Sequence, residues 1–404
     1  MKQKQTATIK KKTSILMIVE NHYPADIRVR KEAEVLQDIY DVSVIALRRK
    51  GERLRETVND VNVYRIPPPK LLPLGKIRYV LDYILITLGG LFVFLMTFPF
   101  RRYRVIHAHN PPDTLFVIGL VGRLLGVRFI YDLHDLSPEL YLSRFGGMKD
   151  SFYRVLLTFE RWSCRLANVV ITANSTYRDL VVDRHNIDPS KVFVVRNDPS
   201  PEAFRAEEPP KEKLDDKFAL IFLGMVNPQD GMDVMCEIMK TIVIDMERTD
   251  IVCRVLGHGD SLEEVKQYAL KLGVGEYFDF HGFVRDKEEV RRLLSSSHIG
   301  VEPAPDNPLN RKSTFIKIME YMASCRPIVA FDLPETRYSA DGAALLVRPG
   351  DNRSFAEAVV QLMDDPQLRL ELGTAGLKRI KENLNWDNSA KLLNTAYLSV
   401  RSSG

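Results

Sequence analysis

The chain is poor in paired cysteines, in glycine-rich nucleotide fingerprints and, over its first half, in acidic residues. Its four cysteines, Cys164, Cys236, Cys253 and Cys325, stand far apart without a C-x-x-C pair. That excludes a disulfide framework and a cysteine-bound zinc, and it suits a reducing compartment. No Walker A sequence and no His-Glu-x-x-His occurs, so neither a P-loop NTPase nor a zinc protease is expected, and no metal or cofactor is invoked. The loop after the first apolar run, Glu20-Asn-His-Tyr-Pro-Ala-Asp-Ile-Arg, lacks the glycines that cradle a dinucleotide. No nucleic-acid module is recognisable. A long apolar leader is missing too: Met1 to Lys12 is polar with five lysines, and the run behind it is only Ile15–Val19. The expectation is a protein without a signal peptide, resident in the cytoplasm.

What is present is a strong asymmetry of charge. Residues 1–200 carry 31 Lys+Arg against 20 Asp+Glu, and residues 201–404 carry 26 against 33. The basic half is suited to an anionic surface, and with no nucleic-acid module that surface is expected to be a membrane. At 404 residues, 45% apolar and 27% charged, the chain is globular and too long for one core, which predicts two domains.

Short apolar runs alternate with helical patterns. In the first half they are Ser14–Val19, Asp41–Leu47, Val61–Ile66, Val105–Ala108, Arg128–Asp132, Val169–Ala173 and Val192–Val195. Most are apolar on both alternations, as in strands covered on both faces, and the pattern predicts doubly wound parallel sheets. Asp198-Pro-Ser-Pro and Glu207-Glu-Pro-Pro-Lys-Glu-Lys read as an extended linker. The alternation restarts with Phe218–Leu223, Ile251–Leu256, Tyr277–Phe280, Ile299–Glu302, Pro327–Phe331 and Ala343–Val347. The expected division is a basic tail at 1–13, an acceptor and membrane domain at 14–197, a linker at 198–217, a second domain at 218–384 and a closing helix at 385–404. A cleft between two such domains is a preferred ligand site. Tyr83 to Phe100 breaks the rhythm: eighteen uncharged residues flanked by Lys70, Lys76, Arg78, Arg101, Arg102 and Arg104. It falls between two strands of one sheet, so spanning is excluded. The alternatives are a buried helix and a helix lying in the membrane interface with basic flanks at the headgroups, and the second is preferred.

Two segments carry chemistry. Leu256-Gly-His-Gly-Asp joins a strand to a helix starting near Ser261, where Gly257 and Gly259 permit a tight turn and the helix N-terminus can meet an anion. Pro303-Ala-Pro-Asp-Asn-Pro-Leu-Asn-Arg-Lys-Ser-Thr-Phe-Ile-Lys-Ile-Met-Glu-Tyr-Met follows a strand. A helix is expected to open at Ser313 or Thr314, capped by one of them, with free N–H groups beside Lys312 and Lys317. That grouping suits a diphosphate. Residue chemistry alone leaves Glu320 either a surface carboxylate or a ligand.

From Ile15 to Ser399 the chain resembles a retaining glycosyltransferase of family four with the two-domain GT-B fold. The matching pieces are Phe222-Leu-Gly-Met-Val, Leu256-Gly-His-Gly-Asp, Phe280-His-Gly-Phe-Val, Lys317-Ile-Met-Glu-Tyr-Met-Ala-Ser-Cys-Arg-Pro-Ile-Val-Ala, His107-Ala-His and Tyr131-Asp-Leu-His-Asp. The resemblance implies a nucleotide-diphosphate sugar held by the second domain, with Gly224, Gly257, Gly259 and Val284 on the donor side and Glu320 on the ribose hydroxyls. It also implies His134 beside the transferred sugar, and a closing helix that returns to the first domain. Asp26, Arg28, Asp135 and Glu139 are candidates for the acceptor side, and His107 and His109 are expected to be structural. The sequence departs from the family where its phosphate clamp belongs: Lys312 replaces the first glutamate of the usual pair, and Met225 and Asp230 replace an arginine and a lysine. Lys317 is the expected substitute, with Arg311, Lys312, Ser313 and Thr314 nearby. The activity implied is transfer from a UDP- or GDP-sugar to a lipid-linked or polysaccharide acceptor at the cytosolic membrane face, with retention. A nucleotide-sugar epimerase of the same fold and a silent binding subunit are the alternatives.

Overall fold

The computed structural model describes residues 12–68, 76–144, 148–199 and 217–402. Nearly all of the basic tail, Lys70 and most of the linker expected at 198–217 lie outside these residues. The chain divides into two compact units, one running to Val195 and regaining the chain at Ala390, the other from Arg196 to Ser389.

In the first unit the order is β1 (Thr13–Val19), α1 (Ile27–Leu36), β2 (Tyr40–Leu47), β3 (Arg55–Val58), β4 (Val61–Ile66), α2 (Lys76–Arg101), β5 (Val105–His109), α3 (Phe116–Leu124), β6 (Arg128–Leu133), α4 (Ser137–Arg144), α5 (Ser151–Leu166), β7 (Val169–Thr172), α6 (Ser175–His185) and β8 (Val192–Val194). The eight strands form one sheet in the order β3-β4-β2-β1-β5-β6-β7-β8. All neighbours are parallel except β3, which pairs antiparallel with β4. Strand β1 is buried from Ile15 through Val19, and β5 and β7 are buried at every position. Helices therefore cover both faces, and such strands must be apolar on both alternations. Strand β3 was not legible in the sequence. Its residues Arg-Glu-Thr-Val alternate exposed and half-buried at the sheet edge and carry no apolar run.

The uncharged stretch forms the single helix α2, and the Gly89-Gly90 pair does not interrupt it. A Cβ at Gly89 would lie 2.8 Å from Ile66, and one at Gly90 would lie 2.9 Å from Ile118. The two glycines thus let α2 press onto β4 and α3. Tyr83, Ile86 and Phe94 face the core, whereas Ile84, Leu85, Leu88, Phe92, Leu95, Met96 and Phe100 are exposed. The segment is long and apolar enough to cross a membrane by composition. However, its inner stripe covers the sheet whose strands β4 and β5 it connects.

The second unit runs β9 (Phe218–Leu223), α7 (Met232–Lys240), β10 (Ile251–Leu256), α8 (Leu262–Lys271), β11 (Phe278–Gly282), α9 (Lys287–Ser295), β12 (Ile299–Glu302), α10 (Ile316–Ala323), β13 (Ile328–Phe331), α11 (Pro334–Ser339), β14 (Ala344–Val347), α12 (Asn352–Asp364) and α13 (Pro366–Glu382). Its sheet is all parallel, in the order β11-β10-β9-β12-β13-β14. Helix α14 (Trp386–Ser402) closes the chain, and from Ala390 it belongs to the first unit. There the Tyr397 ring packs tilted against Tyr40, centroids 5.3 Å apart.

In each sheet the strand order reverses direction beside the first strand, at β1/β5 and at β9/β12. In open parallel sheets the crevice outside the carboxyl ends at such a point is where ligands bind. In the second unit the Tyr321 hydroxyl spans this split, accepting from the Leu223 N–H (3.0 Å) and donating to the Val301 carbonyl (3.3 Å). Gly300 makes room for it, since a Cβ there would sit 2.4 Å from the Tyr321 ring.

Candidate functional site

At the β1/β5 switch point of the first unit, residues from three elements converge. His107 and His109 are two apart on β5 and so share one face, with ring centroids 4.1 Å apart. Asp132 stands beside His109 in the parallel register of β6. Arg28, in the first turn of α1, donates to both oxygens of Asp132 (2.9 and 3.0 Å) and to the Val195 carbonyl (2.7 Å). Glu32, one turn further along α1, lies 3.2 Å from the Arg28 Nε. His134 follows β6 and is half-buried, its Nε2 3.0 Å from Asp132 Oδ2 and 3.1 Å from His109 Nδ1. Asn110 shapes the loop that carries His134: its Oδ1 accepts from the His134 and Asp135 N–H groups, and its Nδ2 donates to the Asp135 carbonyl. Below, the Tyr397 hydroxyl meets His107 Nδ1 at 3.0 Å.

The electrostatics follow from burial. Burial alone would raise the Asp132 carboxyl, but Arg28 and then His134 hold it well below the usual carboxylate range. Glu32, equally buried, is pushed well above that range by desolvation, against the pull of Arg28. Desolvation also lowers His107 and His109, and His109 falls further beside His107. The cluster therefore holds one ionised acid, one neutral acid and two neutral imidazoles. An ionised carboxylate only accepts, so Nε2 is the nitrogen of His134 that donates to Asp132. Glu32, His107, His109 and Asp132 bring ligand atoms within 4.8 Å of one another. By donor type the set could take a cation, but Arg28 already places a fixed positive charge on both oxygens of Asp132.

Several acceptor-side expectations change here. Arg28 is turned inward and engaged by Asp132 and Glu32. Asp26 caps α1 through the Val29 N–H (3.0 Å), and its other oxygen accepts from Asn21 (2.9 Å). Glu139 is buried against Arg184, which also donates to Glu160 at 3.0 Å. It pins α4 to the helices behind it. Asp135 is exposed beside His134. The sequence reading missed Asp132, Glu32 and Asn110. Its one available signal was an acid inside the otherwise apolar strand run ending at Asp132, since a doubly covered strand tolerates a carboxylate only with a buried partner.

At the β9/β12 switch point of the second unit the central residue is Lys317, the second residue of α10. It is buried, with Nζ 2.9 Å from Glu302 Oε2 and 3.9 Å from the Phe222 ring centroid. It lies under Gly224: a Cβ on that glycine (φ 129°) would come 3.3 Å from Lys317 Cε. Burial raises the Glu302 carboxyl, which Lys317 pulls back in part, and Asp230 shows the same balance. Pro228-Gln-Asp is a single 3-10 turn, closed by Asp230 Oδ2 accepting from the Asn227 N–H at 3.0 Å. Gly231 ends it at φ 74°, where a Cβ would sit 2.2 Å from the Pro303 carbonyl oxygen. Gly257 and Gly259 serve close approach as well. Their Cβ atoms would strike the carbonyl oxygens of Gly224 and Val226, and the two loops are zipped by Gly224 N–H to Leu256 and Val226 N–H to His258. Beyond them exposed Phe283 stands edge-on to His258, centroids 6.0 Å apart, and Val284 is half-buried.

Helix α10 does not begin at Ser313 or Thr314. It begins at Ile316 with Phe315 as an N-cap that offers no side-chain hydrogen bond. The Ser313 hydroxyl donates to Leu309, and Thr314 to Glu335. The expected phosphate ligands Arg311 and Lys312 are engaged within their own loop, Arg311 by Asp306 and Lys312 by the Pro308 carbonyl (2.7 Å). The turn Asn307–Asn310 explains the shift: Asn307 Oδ1 accepts from the N–H groups of Leu309 and Asn310, which keeps this stretch out of the helix. Lys317 remains at the helix start. Glu320 lies three residues on and is half-buried.

Known proteins match both units. Residues 27–198 match the family model of the glycosyl transferase 4-like domain, and residues 217–365 that of glycosyl transferases group 1. The chain is 28% identical over 327 residues to alpha-maltose-1-phosphate synthase of Mycolicibacterium smegmatis, covering 73% of this chain and 79% of that one. Its fold is similar to that of sucrose-phosphate synthase from Thermosynechococcus elongatus (TM-score 0.78, 16% identity, 97% and 100% of the two chains). It is also similar to that of Anabaena HepE in complex with UDP and glucose (TM-score 0.72, 15% identity, 96% and 100%). The fold is GT-B, and the two family matches support a glycosyltransferase of the family-four type.

Proposed function

We propose that this GT-B glycosyltransferase moves a sugar from a UDP- or GDP-sugar to a lipid-linked or growing glycan acceptor, with retention, at a membrane surface. The observation that carries the reading is Lys317, a buried ammonium at the β9/β12 switch point beneath Gly224, beside a helix start that no side chain caps. Leaving diphosphate needs positive charge, and oriented N–H groups next to a desolvated ammonium supply it. The complex of HepE with UDP and glucose supports a uridine donor for this fold. Glu320 is assigned to the ribose hydroxyls, and exposed Phe283 beside His258 offers the base an aromatic surface. On the first unit His134, held by Asp132 through Nε2, is assigned to the transferred sugar. The acceptor's lipid is suggested by the exposed apolar face of α2.

Isothermal titration with UDP and GDP against uridine and guanosine tests the carrying observation. Lys317→Met should weaken the diphosphates about thirtyfold, since a charge-assisted contact contributes about 2 kcal/mol, and leave the nucleosides nearly unchanged. Removing Lys317 leaves Glu302 buried without its partner, so the Lys317→Met/Glu302→Gln pair belongs in the same titration. An equal, small change for nucleoside and diphosphate would remove Lys317 from the donor site. Incubation with labelled UDP- and GDP-sugars, with and without membrane lipid, completes the test. Transfer that needs lipid supports the proposal, whereas turnover without any acceptor indicates an epimerase, and binding without turnover a silent subunit.

A further inference from the structure

Helix α2 is not alone in showing carbon to the outside. It touches α3 where Gly90 meets Ile118, and α3 touches α5 through Phe116, whose ring lies 5.5 Å from Trp162 and 5.8 Å from Phe159. On α3 the outward positions are Leu120 and Leu124, the latter 81% exposed, followed by Leu125. On α5 they include Val155 and Trp162. Seven large apolar side chains are exposed on α2 itself, with Phe92 at 64% and Phe100 at 85%. Scattered exposed apolar residues are ordinary, but a continuous patch over three adjacent helices is not.

The charges on this layer have one sign. Among the described residues of α2, α3 and α5 there are two acids. Glu160 is fully buried, and Asp82 is half-buried close to Glu20. The exposed charges are Arg123, Arg154, Arg161 and Arg165. Neither Arg154 nor Arg161 makes an ion pair among the described residues. The aromatic cluster of Phe116, Phe159 and Trp162 lies where the apolar surface of α3 gives way to the arginines of α5, the position a Trp takes between hydrocarbon and headgroup.

We propose that α2, α3 and α5 form a single docking face for an anionic lipid bilayer, with α2 and α3 in the interfacial zone and the arginines of α5 among the headgroups. This rests on the membrane reading above and extends it from one helix to a three-helix plane. A second copy of the chain is a poorer occupant. A two-fold contact would set this patch against itself, with no exposed acid among the described residues of the three helices to answer its arginines. Anionic headgroups answer every one of those charges.

The test is co-sedimentation of the full chain with vesicles of phosphatidylcholine, with and without phosphatidylglycerol. Wild type should bind the anionic vesicles and bind the neutral ones far less. Leu120→Ser/Leu124→Ser on α3 and Arg154→Gln/Arg161→Gln on α5 should each weaken binding about tenfold or more, as should Leu88→Ser/Phe92→Ser/Met96→Ser on α2. All seven positions are exposed, and an unchanged thermal transition checks that each variant is folded. The chain has two tryptophans, Trp162 and the buried Trp386. In a Trp386→Phe background the Trp162 emission should therefore shift to the blue on anionic vesicles and be quenched by brominated lipid. If the α2 variant detaches while the α3 and α5 variants bind normally and Trp162 does not respond, the three-helix face is wrong and the membrane reading stands. If wild type binds neither kind of vesicle, the membrane reading falls and takes the face with it. A dimer in solution that the α3 variant dissolves, without vesicle binding, would assign the face to a second copy and overturn the proposal.

Discussion

Asp132 and Glu32 carry the same functional group in the same buried cluster and end in opposite states of protonation. The difference is geometry. Arg28 donates to both oxygens of Asp132, from Nη2 to Oδ1 (2.9 Å) and from Nε to Oδ2 (3.3 Å), whereas Glu32 meets the same guanidinium only at its Nε. Removing one partner of such a buried pair typically costs 3–5 kcal/mol, because the other charge is left uncompensated. Asp132→Asn should therefore lower stability by about that much, read as a shift in denaturant midpoint. His134→Ala, at a half-buried position, should keep the fold and the affinity for UDP or GDP while reducing turnover. Equal loss of nucleotide affinity would remove His134 from the transferred sugar. The sequence made His134 and Lys317 visible because each sits in a recognisable motif at the end of an element. Asp132 stayed hidden because the residue that makes it tolerable, Arg28, is 104 positions away.

At the scale of elements, strands covered on both faces were the most legible feature, since burial leaves them no choice but apolar residues. The edge strand β3 and the start of α10 were not. One has no apolar pattern, and the other was displaced by an asparagine turn that competes locally with the helix. The loops at the donor side were legible as glycine-rich but not for their reason, which is contact between backbones. Gly231 and Gly342 separate the two effects. Both have φ 74°, but a Cβ at Gly342 meets nothing within 4 Å, whereas at Gly231 it strikes the Pro303 carbonyl. Gly342→Ala should cost about 1 kcal/mol from the left-handed backbone alone, with UDP affinity unchanged. Gly231→Ala should cost more and also weaken UDP, because the segment it displaces follows directly on Glu302, the partner of Lys317. Thermal melts with and without UDP distinguish the two.

At the scale of the whole molecule, the basic character of the first half was legible as a sum, whereas which of its arginines stand exposed on α3 and α5 required the fold. The same unit also concentrates the shifted groups that set its response to pH. Glu20, at the carboxyl end of β1, is pushed up to about 8 by burial and then by Asp82. It binds its proton more tightly folded than unfolded, so its contribution is full below its ordinary value near 4.5 and is lost as pH rises from there through about 8. Glu32, raised in the same direction, adds to that loss. His107 and His109 are lowered by burial, so they favour the fold above their ordinary value near 6.5 and oppose it as pH falls below. The two limbs overlap and oppose each other between about pH 4.5 and 6.5, so the stability of the first unit should change little there and fall as pH rises from about 6.5 toward 8. Chemical denaturation of the full chain with Trp386→Phe, followed through Trp162 in the first unit, measures it. Glu20→Gln should flatten the alkaline limb and leave the acid limb in place. His109→Gln should do the reverse, since a neutral amide cannot take up the proton that the unfolded histidine gains. An alkaline limb that persists unchanged in Glu20→Gln would mean that Glu20 is already ionised at neutral pH and that the Glu20–Asp82 contact is opened to water.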